Sequence, residues 1–86
     1  MYDLRVEKQA AKYLKKLDKP NQKRLMGALM ALAENPFADA RVKRMKGYTS
    51  TFRTRVGDFR IIFEIDQGQL NVLVLKIGSR GDIYKK

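Results

Sequence analysis

The sequence contains no cysteine, no histidine and no tryptophan, and only two of its 86 residues are prolines. Without cysteine there can be neither a disulfide framework nor a thiolate metal site. Without histidine the commonest zinc ligand and the commonest acid–base catalyst are also missing. We therefore predict no metal and no cofactor, and any chemistry has to depend on Arg, Lys, Tyr, Asp, Glu, Ser and Thr.

Long apolar runs are absent as well. No stretch approaches the roughly 20 apolar residues that span a bilayer, and the first five residues do not begin a signal peptide. We expect no membrane association and a cytoplasmic location. A chain of 86 residues, 44% of them hydrophobic, has room for one core. Residues 1–86 are therefore predicted to form a single globular domain.

Acidic residues are scarce. Nine Asp and Glu stand against 19 Lys and Arg, which gives a formal net charge of +10. Such a surplus attracts polyanions, so nucleic acid or an acidic protein is the expected partner rather than a small-molecule ligand. The other interpretation is a merely solvated basic surface.

The first half of the chain has the pattern of a strand followed by two helices. Alternation over Tyr2–Val6 predicts the strand, and apolar residues at helical spacing over Glu7–Leu17 predict an amphipathic helix. A second helix is expected after Asp18, a suitable N-cap, with Pro20 in its first turn and an end at Asn35-Pro36. The short joint predicts an antiparallel helical hairpin.

The second half has the pattern of an antiparallel sheet. Residues 37–48 are irregular and basic, which predicts a loop with a cationic rim. Alternating segments bounded by glycine-containing pairs then predict strands joined by tight turns. The strands are expected at Thr49–Val56, Phe59–Asp66 and Gln69–Ile77, with turns at Gly57-Asp58 and Gln67-Gly68. The fold class is α+β, with the N-terminal strand and the helical hairpin packed on a small antiparallel sheet.

A two-residue turn at Gly57-Asp58 fixes which side chains share a face. The turn pairs Val56 with Phe59, Thr54 with Ile61 and Phe52 with Phe63, all toward the core. The opposite face then receives Arg53, Arg55 and Arg60. Arg55 is directly across from Arg60, where like charges destabilise a cross-strand pair.

A binding site for an anion explains this arrangement, because guanidinium groups that converge on a phosphate form charge-assisted hydrogen bonds and lose their mutual repulsion. The alternative is that the arginines are ordinary exposed sheet residues paired with Glu64 or Asp66. Glu64 lies too far along the strand to neutralise Arg55 and Arg60.

The last strand is apolar on both faces. Val72 and Val74 are expected to face the core, while Leu73, Leu75 and Ile77 make the second face apolar too. This pattern predicts a central strand. The second face is covered either by the tail around Ile83 or by another protein.

The order and spacing of these segments resemble the RelE branch of the RelE/ParE toxin superfamily over essentially the whole chain. The segments that carry the resemblance are Phe52–Ile61, Ile77–Arg80 and a late tyrosine, Tyr84. RelE-type toxins are ribosome-dependent endoribonucleases that cleave messenger RNA in the decoding site, and each is inhibited by a cognate antitoxin. The resemblance therefore implies an RNA-cleaving toxin that is metal-independent and acts through the 2′-hydroxyl.

The resemblance also implies which residues form the active site. The family uses two basic residues on one strand, an arginine on the next, an arginine after the last strand and a C-terminal tyrosine. The matching residues here are Arg53, Arg55, Arg60, Arg80 and Tyr84. RelE proteins commonly carry lysines where this chain has Arg53 and Arg55, and a guanidinium cannot act as a base. Tyr84 is the candidate base, or else stacks on a nucleobase.

Outside that set, Lys43, Arg44 and Lys46 are expected to contact the backbone of ribosomal or messenger RNA. Two other functions stay open: a ParE-like toxin that inhibits DNA gyrase, and a non-catalytic RNA-binding module. The expected partners are the ribosome, mRNA and an acidic, partly helical antitoxin, and we expect the free toxin to be monomeric.

Overall fold

The computed structural model describes residues 1–79, which form two helices and five strands. In chain order these are β1 Asp3–Val6, α1 Lys8–Lys16, α2 Lys19–Glu34, β2 Lys43–Arg44, β3 Thr51–Val56, β4 Phe59–Asp66 and β5 Asn71–Ser79. The strands form one sheet in the order β1-β5-β4-β3-β2. The predicted α+β class, with two helices packed on a sheet, is confirmed.

The sheet is not antiparallel throughout. β2, β3, β4 and β5 pair antiparallel with their neighbours, but β1 runs parallel to β5, with Asp3 across from Asn71 and Val6 across from Val74. No tight turn joins β1 to β5, so no hairpin constrains their relative direction. β5 has a neighbour on each side, which confirms that it is a central strand.

The helices begin and end close to the predicted bounds. Pro20 occupies the first turn of α2, and the backbone N–H of Asn35 donates to the carbonyl oxygen of Ala31 at the other end. Asp18 is the N-cap residue, but its carboxylate accepts a hydrogen bond from the Asn21 side chain at 2.8 Å rather than capping the backbone. No helix within residues 1–79 has the length and apolar character needed to cross a membrane.

The core lies between the helices and one face of the sheet. Leu25 and Leu29 of α2 are fully buried, as are Ile61, Phe63 and other inward residues of the strands. The rings of Phe52 and Phe63 stack across β3 and β4 with centroids 6.1 Å apart. The predicted inward face of the β3–β4 hairpin is therefore confirmed.

Residues 37–48 are less irregular than predicted. Lys43 and Arg44 form the short edge strand β2, with Lys43 across from Arg53 and Arg44 across from Phe52. Two residues are too few to show an alternating pattern, so the sequence carries no signal for this strand. β2 brings the basic loop alongside the arginines of β3.

The β4–β5 connection differs from the prediction. Asp66 pairs with Asn71, so four residues, not the predicted Gln67-Gly68, separate the strands. Leu70 ends this turn with a positive φ of 55°. Positive φ is uncommon for residues other than glycine, so the sequence does not predict it at a leucine. β5 accordingly starts at Asn71 and continues to Ser79.

A β-bulge in β5 corrects the predicted position of Ile77. Ile62 is across from Lys76 and Phe63 is across from Val74, so Leu75 is the extra residue. Val74 and Ile77 are consequently both buried, with Leu75 and the exposed Lys76 between them. The prediction that Ile77 faces away from the core was wrong because an extra residue reverses the alternation beyond it.

Replacing Gly57, in the β3–β4 turn, by alanine is expected to destabilise the protein. The φ of Gly57 is 61°, and an added Cβ would lie 2.7 Å from Nη1 of Arg24. The arginine end can move, but the left-handed backbone costs about 1–2 kcal/mol for a residue with a Cβ. We predict that Gly57→Ala lowers the free energy of unfolding by about that amount in urea titrations.

Gly68→Ala is the matched control, because an added Cβ there would meet only an ordinary contact at 3.5 Å. It should change stability by less than about 0.5 kcal/mol. If both variants lost the same free energy of unfolding, the left-handed conformation of Gly57 would not be the cause of the loss.

Candidate nucleic-acid interface

The arginines of the β3–β4 hairpin lie together on the sheet face opposite the helices, called the outer face below. Arg55 is directly across from Arg60, and Arg53 is across from Ile62. Arg53 and Arg55 are exposed and Arg60 is half-buried. The predicted register is confirmed, since the three guanidinium-bearing positions share one face and two adjacent rows of the sheet.

These arginines line a cavity of about 280 Å³ whose charged residues are all cationic. Its lining consists of Arg41, Lys43, Arg53, Thr54, Arg55 and Arg60. Arginine side chains offer planar, bidentate donors that match the oxygens of a phosphate, and lysine adds a point charge. The cavity is therefore suited to an anion.

Two of its residues come from the segment that was predicted to be a loop. Lys43 reaches the outer face because β2 pairs it with Arg53. Arg41 is held near the rim by Asp39, whose carboxylate accepts from the Arg41 guanidinium at 2.9 Å and from the Arg41 backbone N–H at 2.8 Å. These hydrogen bonds, the side-chain one first, lower the pKa of Asp39. Asp39 thus stays ionised at neutral pH and offsets part of the charge of Arg41.

The structure separates the three basic residues predicted to contact RNA. Lys43 joins the arginines, whereas the guanidinium of Arg44 lies over the ring of Phe52, 5.7 Å from its centroid, on the helix side of the sheet. Lys46 lies in the turn after β2 and is exposed. Only Lys43 belongs to the cationic cavity.

The bulge brings a further cation, Lys76, to the outer face. Lys76 is across from Ile62 and therefore stands in the same row of the sheet as Arg53 and Lys43. Simple alternation from the buried Val74 would have directed Lys76 inward, which is why sequence reasoning missed it. The signal available in the sequence was Ile77, an apolar residue that a regular strand would have left outside.

Away from the arginines, the outer face changes character. Glu64 stands two rows beyond Arg60 and one row beyond Ile62 on β4. It is across from Thr51 on one side and Leu73 on the other, and Leu73 is across from Arg5. Glu64 is exposed. The exposed Arg5 shares this row, so the end near the β3–β4 turn holds the larger group of cations but not all of them. Glu64 does not face Arg55 or Arg60, as the register predicted.

Arg80 and Tyr84 lie outside the described residues, so their predicted roles stay predictions. Within residues 1–79, no three His, Cys, Asp or Glu side chains come close enough together to hold a metal ion. The described outer face can bind and stabilise negative charge. Its arginines cannot accept a proton, so a complete nuclease needs another group for that step.

Residues 4–84 match the family model described as the ParE toxin of type II toxin–antitoxin system, parDE. Among individual proteins, the chain is similar to RelE1 of Methanocaldococcus jannaschii. The two are 28% identical over 86 residues, which are 98% of this chain and 96% of the relative.

Solved structures of RelE proteins have the same fold. RelE in the RelE–RelB complex of Pyrococcus horikoshii superposes with a TM-score of 0.82 and 26% identity, covering 94% of this chain and 97% of that one. The isolated RelE toxin of E. coli gives a TM-score of 0.79 at 20% identity, covering 98% of this chain and 92% of that one. The second likeness concerns the fold alone.

Removing one member of the Arg55–Arg60 pair should stabilise the empty protein. We predict that Arg55→Gln raises the free energy of unfolding by about 0.2–1 kcal/mol at low salt, because facing like charges are unfavourable. The gain should shrink as salt screens the pair. Urea titrations at low and high salt measure both effects.

Lys12→Gln is the matched control, since it removes one positive charge from the exposed side of α1. A gain as large in this variant would mean that net charge, and not the facing pair, is responsible. A loss of stability in Arg55→Gln would contradict the predicted repulsion.

Proposed function

The chain belongs to the family of ParE toxins of type II toxin–antitoxin systems, within the RelE/ParE superfamily, and we propose that it acts as a RelE-type endoribonuclease. Its substrate is messenger RNA in the decoding site of the ribosome. The observation that carries the proposal is the cavity on the outer face, whose charged residues are all cations and include Arg53, Arg55 and Arg60.

Cleavage begins when a ribose 2′-oxygen attacks the adjacent phosphorus. Negative charge builds up on the phosphate oxygens, and the bond from phosphorus to the leaving 5′-oxygen breaks. Arg60 and Arg80 hold this phosphate and stabilise its extra charge, while Arg53 and Arg55 support the field and orient the RNA backbone. A preorganised donor in such a site contributes about 3–4 kcal/mol to lowering the barrier.

The proton of the 2′-hydroxyl needs an acceptor, and the leaving 5′-oxygen needs a proton. Tyr84 is the proposed acceptor, in the phenolate form that cations near a tyrosine favour. A water molecule is the proposed donor of the proton to the 5′-oxygen. The sequence contains no histidine, and the proposed site residues include no strong general base, so activity on free RNA should be feeble. The ribosome supplies the orientation of the substrate, which alone can contribute several kcal/mol.

Two other functions compete with this proposal. Inhibition of DNA gyrase is favoured by the family description, which names the ParE toxin. A non-catalytic RNA-binding module is disfavoured by burial of Phe52, Phe59 and Phe63, because base-stacking modules need exposed rings on the sheet.

The partner that inhibits the toxin is an antitoxin. Relatives of this fold have been solved as RelE–RelB complexes from Pyrococcus horikoshii and E. coli, among others. The net charge of +10 favours an acidic, partly helical antitoxin. We propose that the free toxin is monomeric and works in the cytoplasm, where ribosomes and messenger RNA are found.

Arg60→Ala should slow the cleavage of ribosome-bound message by about 100- to 1000-fold, the usual cost of losing one charge-stabilising donor. Tyr84→Phe should slow it strongly as well if the phenol transfers the proton. Single-turnover cleavage on programmed ribosomes, with primer extension to map the new ends, measures both rates. Arg5→Ala is the control, because Arg5 lies on the outer face but away from the cavity.

A wild-type protein that leaves message intact but produces gyrase-linked DNA breaks would replace the proposal with the ParE-like function. Binding to ribosomes without new RNA ends would favour the non-catalytic module.

Lys43 and Arg44 are adjacent in sequence but on opposite faces, which permits a second test. Lys43→Gln should reduce the slope of log affinity against log salt for single-stranded RNA by about 0.7, the value for one lost phosphate contact. Arg44→Gln should leave that slope unchanged, because its guanidinium lies over Phe52. Equal changes in the two variants would show that the basic segment binds RNA without regard to face.

A further inference from the structure

A second cavity, of about 350 Å³, lies where α1 meets the last residues of β5. β1 pairs only with residues 71–74 of β5, and α1 starts directly after β1. Within residues 1–79, no strand pairs with this edge of β5 beyond Val74, and α1 packs nearby on the core side through Ala10 and Tyr13. The cavity is formed along this boundary.

The polar side chains of this cavity can all donate hydrogen bonds. They are the Gln9 amide, the Tyr13 and Ser79 hydroxyls and the Lys76 ammonium. No carboxylate is among the described residues that line it. The amide and hydroxyl groups can also accept, so it is the full positive charge of Lys76, with no described carboxylate beside it, that favours an anion over a cation.

The cavity adjoins the arginines through Gly78. Gly78 lines the second cavity and is directly across from Arg60. Because glycine has no side chain, no β5 side chain at this position separates Arg60 from the second cavity. Lys76 is the diagonal neighbour of Arg60 across the β4–β5 pair, and such neighbours have Cα atoms about 7–8 Å apart. Lys76 does not line the arginine cavity. It can therefore contact a different group of the ligand from the one that Arg55 and Arg60 contact.

We propose that this second cavity is a subsite for the phosphodiester next to the one held by the arginines, with Lys76 as its charged ligand. The inference rests on the proposed function for the identity of the ligand, an RNA strand. The bulge at Leu75 serves the subsite because it places Ile77 in the core while it leaves Lys76 on the outer face. A strand bound at both positions is held at two consecutive phosphates, which fixes its direction across the sheet.

The test uses a short single-stranded oligonucleotide of 2′-deoxyribonucleotides, which lacks the attacking hydroxyl and cannot be cut. Lys76→Met should reduce the slope of log affinity against log salt by about 0.7. The ratio of wild-type to variant affinity should therefore be about 2.6-fold smaller at roughly 200 mM salt than at about 50 mM. Lys76→Arg should keep the wild-type slope, because the charge is retained. Fluorescence anisotropy measures these affinities.

Lys19→Met is the matched control. Lys19 is an exposed lysine at the start of α2 and lines neither the second cavity nor the arginine cavity, so this variant loses the same charge elsewhere and should keep the wild-type slope. An equal change of slope in Lys19→Met and Lys76→Met would overturn the proposal.

Position is tested by making one linkage at a time a neutral methylphosphonate. In double-mutant cycles, the affinity of Arg60→Gln should be insensitive to neutralisation of one linkage, and the affinity of Lys76→Met should be insensitive to neutralisation of another. These two linkages should be neighbours. The proposal would be overturned if both residues were coupled to the same linkage, or if Lys76 were coupled to none. Binding too weak to measure at low salt would overturn it as well.

Failure of the subsite can be told apart from failure of the proposed function. Coupling at adjacent linkages in a protein that does not cut ribosome-bound message would support the subsite and reject the nuclease. Cleavage of message without coupling of Lys76 would support the nuclease and reject the subsite.

Discussion

The unfavourable meeting of Arg55 and Arg60 across β3 and β4 is the constraint on which the site depends. The hairpin cannot relieve it by shifting register, because a slip of one residue between the strands would turn either Phe52 of β3 or Ile61 and Phe63 of β4 toward solvent. Burying such a side chain contributes about 1.5–3 kcal/mol, whereas the facing charges cost at most about 1 kcal/mol. The apolar face therefore holds the cationic face in place.

In the proposed function, binding and proton transfer fall to different parts of the chain. The described outer face concentrates positive charge at one end of the sheet, and the proposed base, Tyr84, follows the last strand. A nuclease of the proposed kind would stabilise charge with this surface and would rely on the ribosome to orient the RNA. The proposed dependence on the ribosome and the proposed acidic antitoxin are both consistent with such a surface.

Local patterns in the sequence were sufficient to predict much of the structure. The alternation around Gly57-Asp58 predicted the register of β3 and β4, and with it the shared face of Arg53, Arg55 and Arg60. Caps, proline and helical spacing predicted both helices to within a residue or two. Contacts between distant segments were not predictable in this way: β1 pairs parallel with a strand about 70 residues away, and β2 is too short to have a period. The bulge at Leu75 was hidden because apolar residues occupy both faces of β5, so Lys76 was assigned to no site.

We propose, above all, that the arginines at the turn end of the outer face hold one strand of nucleic acid. The most direct measurement follows the arginine Nε–H signals by NMR while a 2′-deoxy oligonucleotide is added. We predict that the signals of Arg53, Arg55 and Arg60 shift together with a single apparent affinity, while the signal of Arg5 does not shift. Uniform small shifts of all arginines, or shifts led by Arg5, would contradict it.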